Sequence, residues 1–220
     1  MIVHHLEDSR SQRVLWLLEE LGVPYEVERY DRDPVTSLAP PELYKVHPLG
    51  KSPIVTQDDI TVAETGAIFE FILDTHDASH QLKPQAGTQV GRDYTYWLHY
   101  AEGSAMTNLL LKLVFSRLPE RAPRLARPIV KRVSSAAETG FIDPRIEEHM
   151  IWWEQSLART GYFVGDELTA ADIMMSFPLE AAASRTDLSL FSNIRGFLEK
   201  IHQRPAYQAA LERGGPYAYA

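Results

Sequence analysis

The sequence predicts two unlike halves: a mixed α/β unit over about the first 77 residues and an all-helical unit after it. Three observations predict this. Short alternating apolar runs occur only in the first 63 residues. A polar stretch bearing Gly and Pro, residues 77–88 (DASHQLKPQAGT), follows them. Beyond it the apolar residues recur at helical spacing, and no strand pattern of convincing length appears.

Residues 2–6 (IVHHL) read as a first strand. In 11–21, Val14, Leu17, Leu18 and Leu21 fall at i, i+3, i+4 and i+7, which predicts a helix. Gly22 supplies a C′ stop, and Pro24 prevents continuation. Residues 25–30 (YEVERY) alternate as a second strand, and a polar, proline-bearing segment follows from Asp31 to Pro48. Ile54–Thr56 and Ile60–Val62 are short strands, with Gln57, Asp58 and Asp59 suited to a tight turn. A helix from about Thr65 to His76 carries Ile68, Phe71 and Ile72 on one face. The initial β-α-β implies parallel pairing with a right-handed crossover, and the later hairpin makes the sheet mixed. In the second half, Tyr94, Trp97, Leu98, Ala101, Ala105 and Leu109 form one long amphipathic stripe. Ile146, Met150, Trp153 and Leu157 form another, and Phe197, Leu198 and Ile201 a shorter one.

Bulk properties bound the function. The chain has 220 residues, 45% of them hydrophobic and 24% charged, which is ordinary for a globular protein. No apolar run reaches the length of a membrane span. MIVHHLEDSR lacks the features of a secretory signal, so the expected location is the cytoplasm. A net charge of −8 opposes binding to nucleic acid or to anionic membrane. The absence of cysteine excludes disulfides, thiolate metal sites and any mechanism through a protein thiol. The eight histidines are scattered and none forms HExxH, so no metal is expected.

Four constellations remain. Asp8-Ser9-Arg10-Ser11-Gln12-Arg13 joins the first strand to the first helix, where hydroxyls lie beside free helix N–H groups. Ser9 or Ser11 either caps that helix or donates a hydrogen bond to a bound thiolate. There is no GxSxG, so neither reads as a hydrolase nucleophile. His47-Pro48-Leu49-Gly50-Lys51-Ser52-Pro53 places a proline at a strand start after a Gly-Lys-Ser turn, a place for a cis bond. It is no P-loop, because the required first glycine falls on Lys45. Glu64-Thr65 sits at the start of the 65–76 helix. There Thr65 is either a cap or part of a corner for the carboxylate and ammonium of an α-amino acid. Leu168-Thr169-Ala170-Ala171-Asp172-Ile173 reads as a structural capping box with its hydrophobic staple.

Together, and in this order, the four resemble the glutathione transferase family over nearly the whole chain. SRSQRVLW looks like its serine-type active-site turn, HPLGKSPIV its cis-proline loop, ETGAI its γ-glutamyl site and GDELTAADI its helical-domain capping motif. The γ-glutamyl site usually has Ser where this chain has Thr65. SRS with HPLGKSP is closest to the bacterial and fungal type. The resemblance implies a thioredoxin-like glutathione-binding domain at 1–77, a linker at 78–88 and a helical second-substrate domain at 89–220. It implies that Ser9, in S-x-x-x-R spacing with Arg13, activates the thiol, with Ser11 as competitor. Lys51 would approach the glycyl carboxylate, the Ser52 backbone beside Pro53 would pair with the cysteinyl peptide, and Glu64 and Thr65 would hold the γ-glutamyl end. Tyr100, Met106, Leu109 and Leu113 are candidates for the pocket wall, though such residues at helical spacing are usually core. The implied partners are glutathione as co-substrate, a small hydrophobic electrophile and a second copy of the chain. The implied role is detoxification by conjugation. A glutathione-dependent reductase or peroxidase without protein cysteine, and a non-catalytic ligand-binding relative, are the alternatives.

Overall fold

The computed structural model describes residues 1–220. Its sheet has the order β2-β1-β3-β4, from β1 (Ile2–Leu6), β2 (Glu26–Tyr30), β3 (Ile54–Gln57) and β4 (Ile60–Ala63). β1 runs parallel to β2, while β3 is antiparallel to both β1 and β4. In this register Val3 stands between Val27 and Val55, and Val3 and Val55 face the core. α1 (Gln12–Leu21) is the crossover. It buries Val14 to Leu18 without a break, because it packs on α2, α7 and α9 as well as on the sheet. It ends where the sequence indicates: Gly22 takes the left-handed conformation at φ 64°, and its N–H reaches the Leu18 and Glu19 carbonyls.

α2 (Thr65–His76) completes the sheet-bearing half. The polar stretch after it is firmly tied down. The buried Asp77 carboxylate accepts the N–H groups of Gln81, Leu82 and Lys83 at 2.8–2.9 Å. The Leu82 carbonyl in turn accepts Ala170 N–H at 2.9 Å.

The rest is helical: α3 (Gln89–Tyr100), α4 (Met106–Arg121), α5 (Arg127–Ala137), α6 (Asp143–Leu157), α7 (Ala170–Ala183), α8 (Ser192–His202) and α9 (Pro205–Gly214). The single stripe expected from Tyr94 to Leu109 is two helices joined by a π-helical turn, Ala101–Ala105. Periodicity does not register such a turn, since the widened turn keeps Ala101 and Ala105 on the buried face. α7 lies at the centre, with Ala170 to Ala182 all buried. Its start is the expected capping box: Asp172 accepts from the Thr169 N–H and hydroxyl, both at 2.8 Å. Asp172 also accepts Phe163 N–H at 2.7 Å, so it pins the preceding loop too. Burial nonetheless pushes its carboxyl up to about 6. One apolar core runs through both halves, from Val3 and Trp16 to Trp153 and Phe197. No helix is long and apolar enough to cross a membrane.

Candidate active site

Of the candidate residues, Ser9, Lys51 and Ser52 gather where the C-terminal end of β1 faces α4. Between them opens a cavity of about 820 Å³. The β1–α1 turn forms its floor. Asp8 is held there at φ 46° and its carboxylate accepts Ala218 N–H at 2.7 Å, so the C-terminal tail closes back on the turn.

Both serines are buried, at 6% exposure for Ser9 and none for Ser11, but only Ser9 lines the cavity. Neither side chain caps α1. Ser11 occupies the N-cap position without a side-chain cap bond, and its own N–H is turned to Ser9 Oγ at 3.3 Å. The two hydroxyl oxygens are 2.7 Å apart, and Ser11 Oγ lies 2.8 Å from His5 Nδ1. The other ring nitrogen of His5 is turned toward the Gly214 carbonyl. A neutral imidazole that donates through Nε2 to this carbonyl has Nδ1 left as an acceptor. Burial first, and the Arg29 charge second, lower the His5 pKa to about 4, so the ring is neutral at pH 7.

Arg13, the last residue of the serine turn, is fully buried. Its guanidinium donates to the Met174 carbonyl at 2.6 Å and pairs with Glu102. Glu102 stands on the π-helical turn and also receives Arg10 at 2.9 Å. Burial alone would raise the Glu102 carboxyl, but Arg13 and Arg10 outweigh it and hold it below the usual range. In the sequence Arg13 stands out only by its S-x-x-x-R spacing from Ser9. Its carboxylate partner, 89 residues away, carries no local signal.

On the neighbouring loop, the Ser52–Pro53 bond is cis. Ser52 Oγ donates to the His4 carbonyl at 2.7 Å and accepts Leu6 N–H at 3.2 Å, which staples the loop to β1. Lys51 and Ser52 line the cavity beside Ser9, and Pro53 is buried behind them. Gly50 has φ 54° and the Tyr44 ring lies where a Cβ would be, 2.8 Å away, so this corner requires glycine. Glu64 and Thr65 do not line the cavity. Glu64 is exposed with φ 74°, and it, not Thr65, holds the N-cap position of α2. Thr65 is the buried first helical residue, and no side chain caps this end.

The far wall comes from α4, the 32–39 segment and Tyr219. Of the four wall candidates, Met106 and Leu113 line the cavity. Leu109 is fully buried core, and Tyr100 packs instead against His149 and Trp153. The sequence did not single out Phe177 or Tyr219, which come from a helix and a tail remote in the chain. No group of three or more His, Asp or Glu side chains is placed to hold a metal ion.

A mixed four-stranded sheet with a cis-proline loop beside its first strand thus faces a helical bundle across one cavity. Comparison with known proteins makes this specific. Residues 1–74 match the family model for the N-terminal domain of glutathione S-transferase, and 126–213 match a C-terminal domain of the same family. The chain is 34% identical to glutathione S-transferase 3 of Schizosaccharomyces pombe, covering 97% of this chain and 87% of that one. It is also 34% identical to glutathione S-transferase 1 of Saccharomyces cerevisiae, covering 96% and 94%. Among solved structures, a glutathione S-transferase from Actinobacillus pleuropneumoniae superposes with a TM-score of 0.83 at 33% identity, over 99% of this chain and 94% of that one. The chain belongs to the glutathione S-transferase family. It is a transferase enzyme with glutathione as substrate.

Proposed function

We propose that Ser9 activates the glutathione thiol for attack on small hydrophobic electrophiles. The observation that carries this is the Ser9–Ser11–His5 chain. If His5 Nδ1 takes the Ser11 proton, Ser9 is the donor in the Ser9–Ser11 pair, and as the hydroxyl at the cavity its proton is the one that can leave Ser11 Oγ for a thiolate. Ser11, with no exposure, becomes a positioning residue.

The magnitudes are consistent with this role. A free thiol has a pKa of about 8.5, so about 3% is ionised at pH 7. Lowering it to about 6.5 needs roughly 2.7 kcal/mol of preference for the anion. A charge-assisted hydrogen bond and the helix N-terminus can share that, and the ionised fraction then rises about 25-fold. Intrinsic nucleophilicity falls in return, with a slope near ~0.4–0.5, so the remaining acceleration comes from holding the electrophile close.

In the same reading, Lys51 receives the glycyl carboxylate and the Ser52 backbone beside Pro53 pairs with the cysteinyl peptide. Glu64 and Thr65 hold the γ-glutamyl end. The division is a glutathione-binding domain at 1–77, a linker at 78–88 and a helical domain at 89–220. The enzyme works in the cytoplasm as a homodimer in detoxifying conjugation, through contacts of α2 and the α3–α4 helix. Turnover of glutathione with a generic aryl halide, measured beside a hydroperoxide and a small disulfide, tests the reaction class. Conjugation is expected to dominate. Turnover of only the hydroperoxide or disulfide would replace it with the reductase reading, and glutathione binding without turnover of any would replace it with ligand storage.

A further inference from the structure

The cavity carries charge opposite to that of the chain. The protein as a whole is −8, yet the cavity is lined by Arg10, Arg32, Lys51, Arg117, Arg121 and Arg185 against only Glu7, Asp8 and Asp33. The three acids are occupied by the protein itself. Glu7 accepts Arg32 N–H at 3.0 Å and lies 3.8 Å from Arg29. Asp8 accepts Ala218 N–H, and Asp33 accepts Val35 N–H together with the Thr36 N–H and hydroxyl. Among the cations, Arg10 is paired with Glu102, which it shares with Arg13. Arg32 and Arg121 reach only carbonyl oxygens. Arg185 donates to the Leu109 carbonyl at 3.2 Å and the Tyr219 hydroxyl at 3.4 Å, both neutral. Arg117 has no hydrogen bond or ion pair.

Arg117 and Arg185 sit on the helical wall, away from the sheet-side corner assigned to glutathione. Leu110, Val114 and Leu118 recur there at four-residue spacing on α4 and stay 49%, 47% and 40% exposed, opening into the cavity. Arg117 is one turn beyond Leu113 and Val114 on the same helix. The Leu109 carbonyl brings the Arg185 guanidinium to that same stretch. An apolar strip that runs into guanidinium groups lacking a carboxylate partner matches one kind of ligand: an apolar body with a carboxylate at its end. Arginine favours this group through paired N–H donors.

We propose that the second substrate is an amphipathic, carboxylate-bearing electrophile, laid along Leu110, Val114 and Leu118 with its carboxylate at Arg117 and Arg185. This rests on the conjugation reading above. With an unsaturated ketone as the electrophile, the glutathione thiolate bonds to the β-carbon. The π electron pair moves to the carbonyl oxygen, and the α-carbon takes a proton from water.

The test uses the full chain and two electrophiles that differ only at the remote end: an aryl vinyl ketone carrying an oxyacetic acid, and its methyl ester. Each kcat/KM is divided by the uncatalysed rate with glutathione. The acid is expected to lead the ester by about tenfold, the size of one charge-assisted contact. The lead should shrink toward unity in Arg117→Gln/Arg185→Gln. The single Arg117→Gln, which breaks no bond, carries the same test if the double variant is unstable. Arg132→Gln, exposed on α5 outside the cavity, removes the same charge and should keep the lead. Equal rates for acid and ester, or a lead untouched in Arg117→Gln, would overturn the proposal. The saturated ketones, bound but not turned over, separate the two layers by competition or calorimetry. If the acid binds better and Arg117→Gln loses this while neither electrophile is conjugated, the anion site stands and the conjugation reading falls. If acid and ester bind alike, the anion site falls whatever the turnover.

Discussion

The two walls of the cavity are built differently. On the sheet side nearly every polar group is committed: Ser9 to Ser11, Ser11 to His5, Ser52 to both His4 and Leu6, and Arg13 to Glu102 and Met174. On the helical side Leu110, Val114 and Leu118 are half-exposed and Arg117 is uncommitted. Bonded groups hold a fixed geometry, which thiol activation needs. Apolar side chains open to a cavity can be exchanged at little cost in stability, which suits a wall that selects the electrophile. On the proposed reading, one wall carries the chemistry and the other the specificity.

The largest effect is expected at Glu102. Glu102→Ala leaves the buried Arg13 without its counter-ion and should cost about 3 kcal/mol in urea unfolding. A change below about 0.5 kcal/mol would mean that the sheet-side wall is not braced from the π-helical turn.

His5 gives an effect of similar size, spread over pH. Its folded pKa, near 4, lies below its unfolded value of 6.5. Between these values the unfolded chain takes up a proton that the folded chain refuses. Its contribution is therefore fully present above about pH 6.5 and is lost as pH falls toward 4, up to about 3 kcal/mol in total. The slope should flatten in His5→Phe. An unchanged slope would mean that the ring is not held neutral in the Ser11 network.

Thr169→Ala, remote from both walls, should cost about 1 kcal/mol through the lost cap bond and leave kcat unchanged. The smallest effect is expected on the helical wall. Val114→Ala should change stability by less than about 0.5 kcal/mol, while KM for an apolar electrophile rises a few-fold and KM for glutathione does not. A fall in stability as large as that of Glu102→Ala would erase the distinction between the walls.

Legibility in the sequence follows the same division. The sheet-side elements were readable because each rests on local chemistry: alternation in 25–30, a left-handed glycine at position 22, a proline at a strand start at 53. The Thr169–Asp172 box was readable for the same reason. What stayed hidden depends on contacts distant in the chain. Glu102 meets Arg13 across 89 residues, and Tyr219 reaches the cavity from the tail. The π-helical turn was invisible because it keeps the buried face continuous. The wall candidates Tyr100 and Leu109 shared the spacing of Met106 and Leu113 but point into the core. Helical period says which residues are apolar together, not which of them face a cavity. Likewise Ser9 and Ser11 are indistinguishable by residue type and differ only in exposure to the cavity and in the reach of His5.

Stabilisation of the bound thiolate by Ser9 is read from thiolate absorbance against pH. Glutathione would be titrated into the wild type, Ser9→Ala and Ser11→Ala. The expected result is a bound-thiol pKa near ~6.5 in the wild type that returns toward ~8.5 in Ser9→Ala, with a smaller rise in Ser11→Ala. A depressed pKa that survives in Ser9→Ala would contradict the claim and transfer the role to Ser11 or to the start of α1.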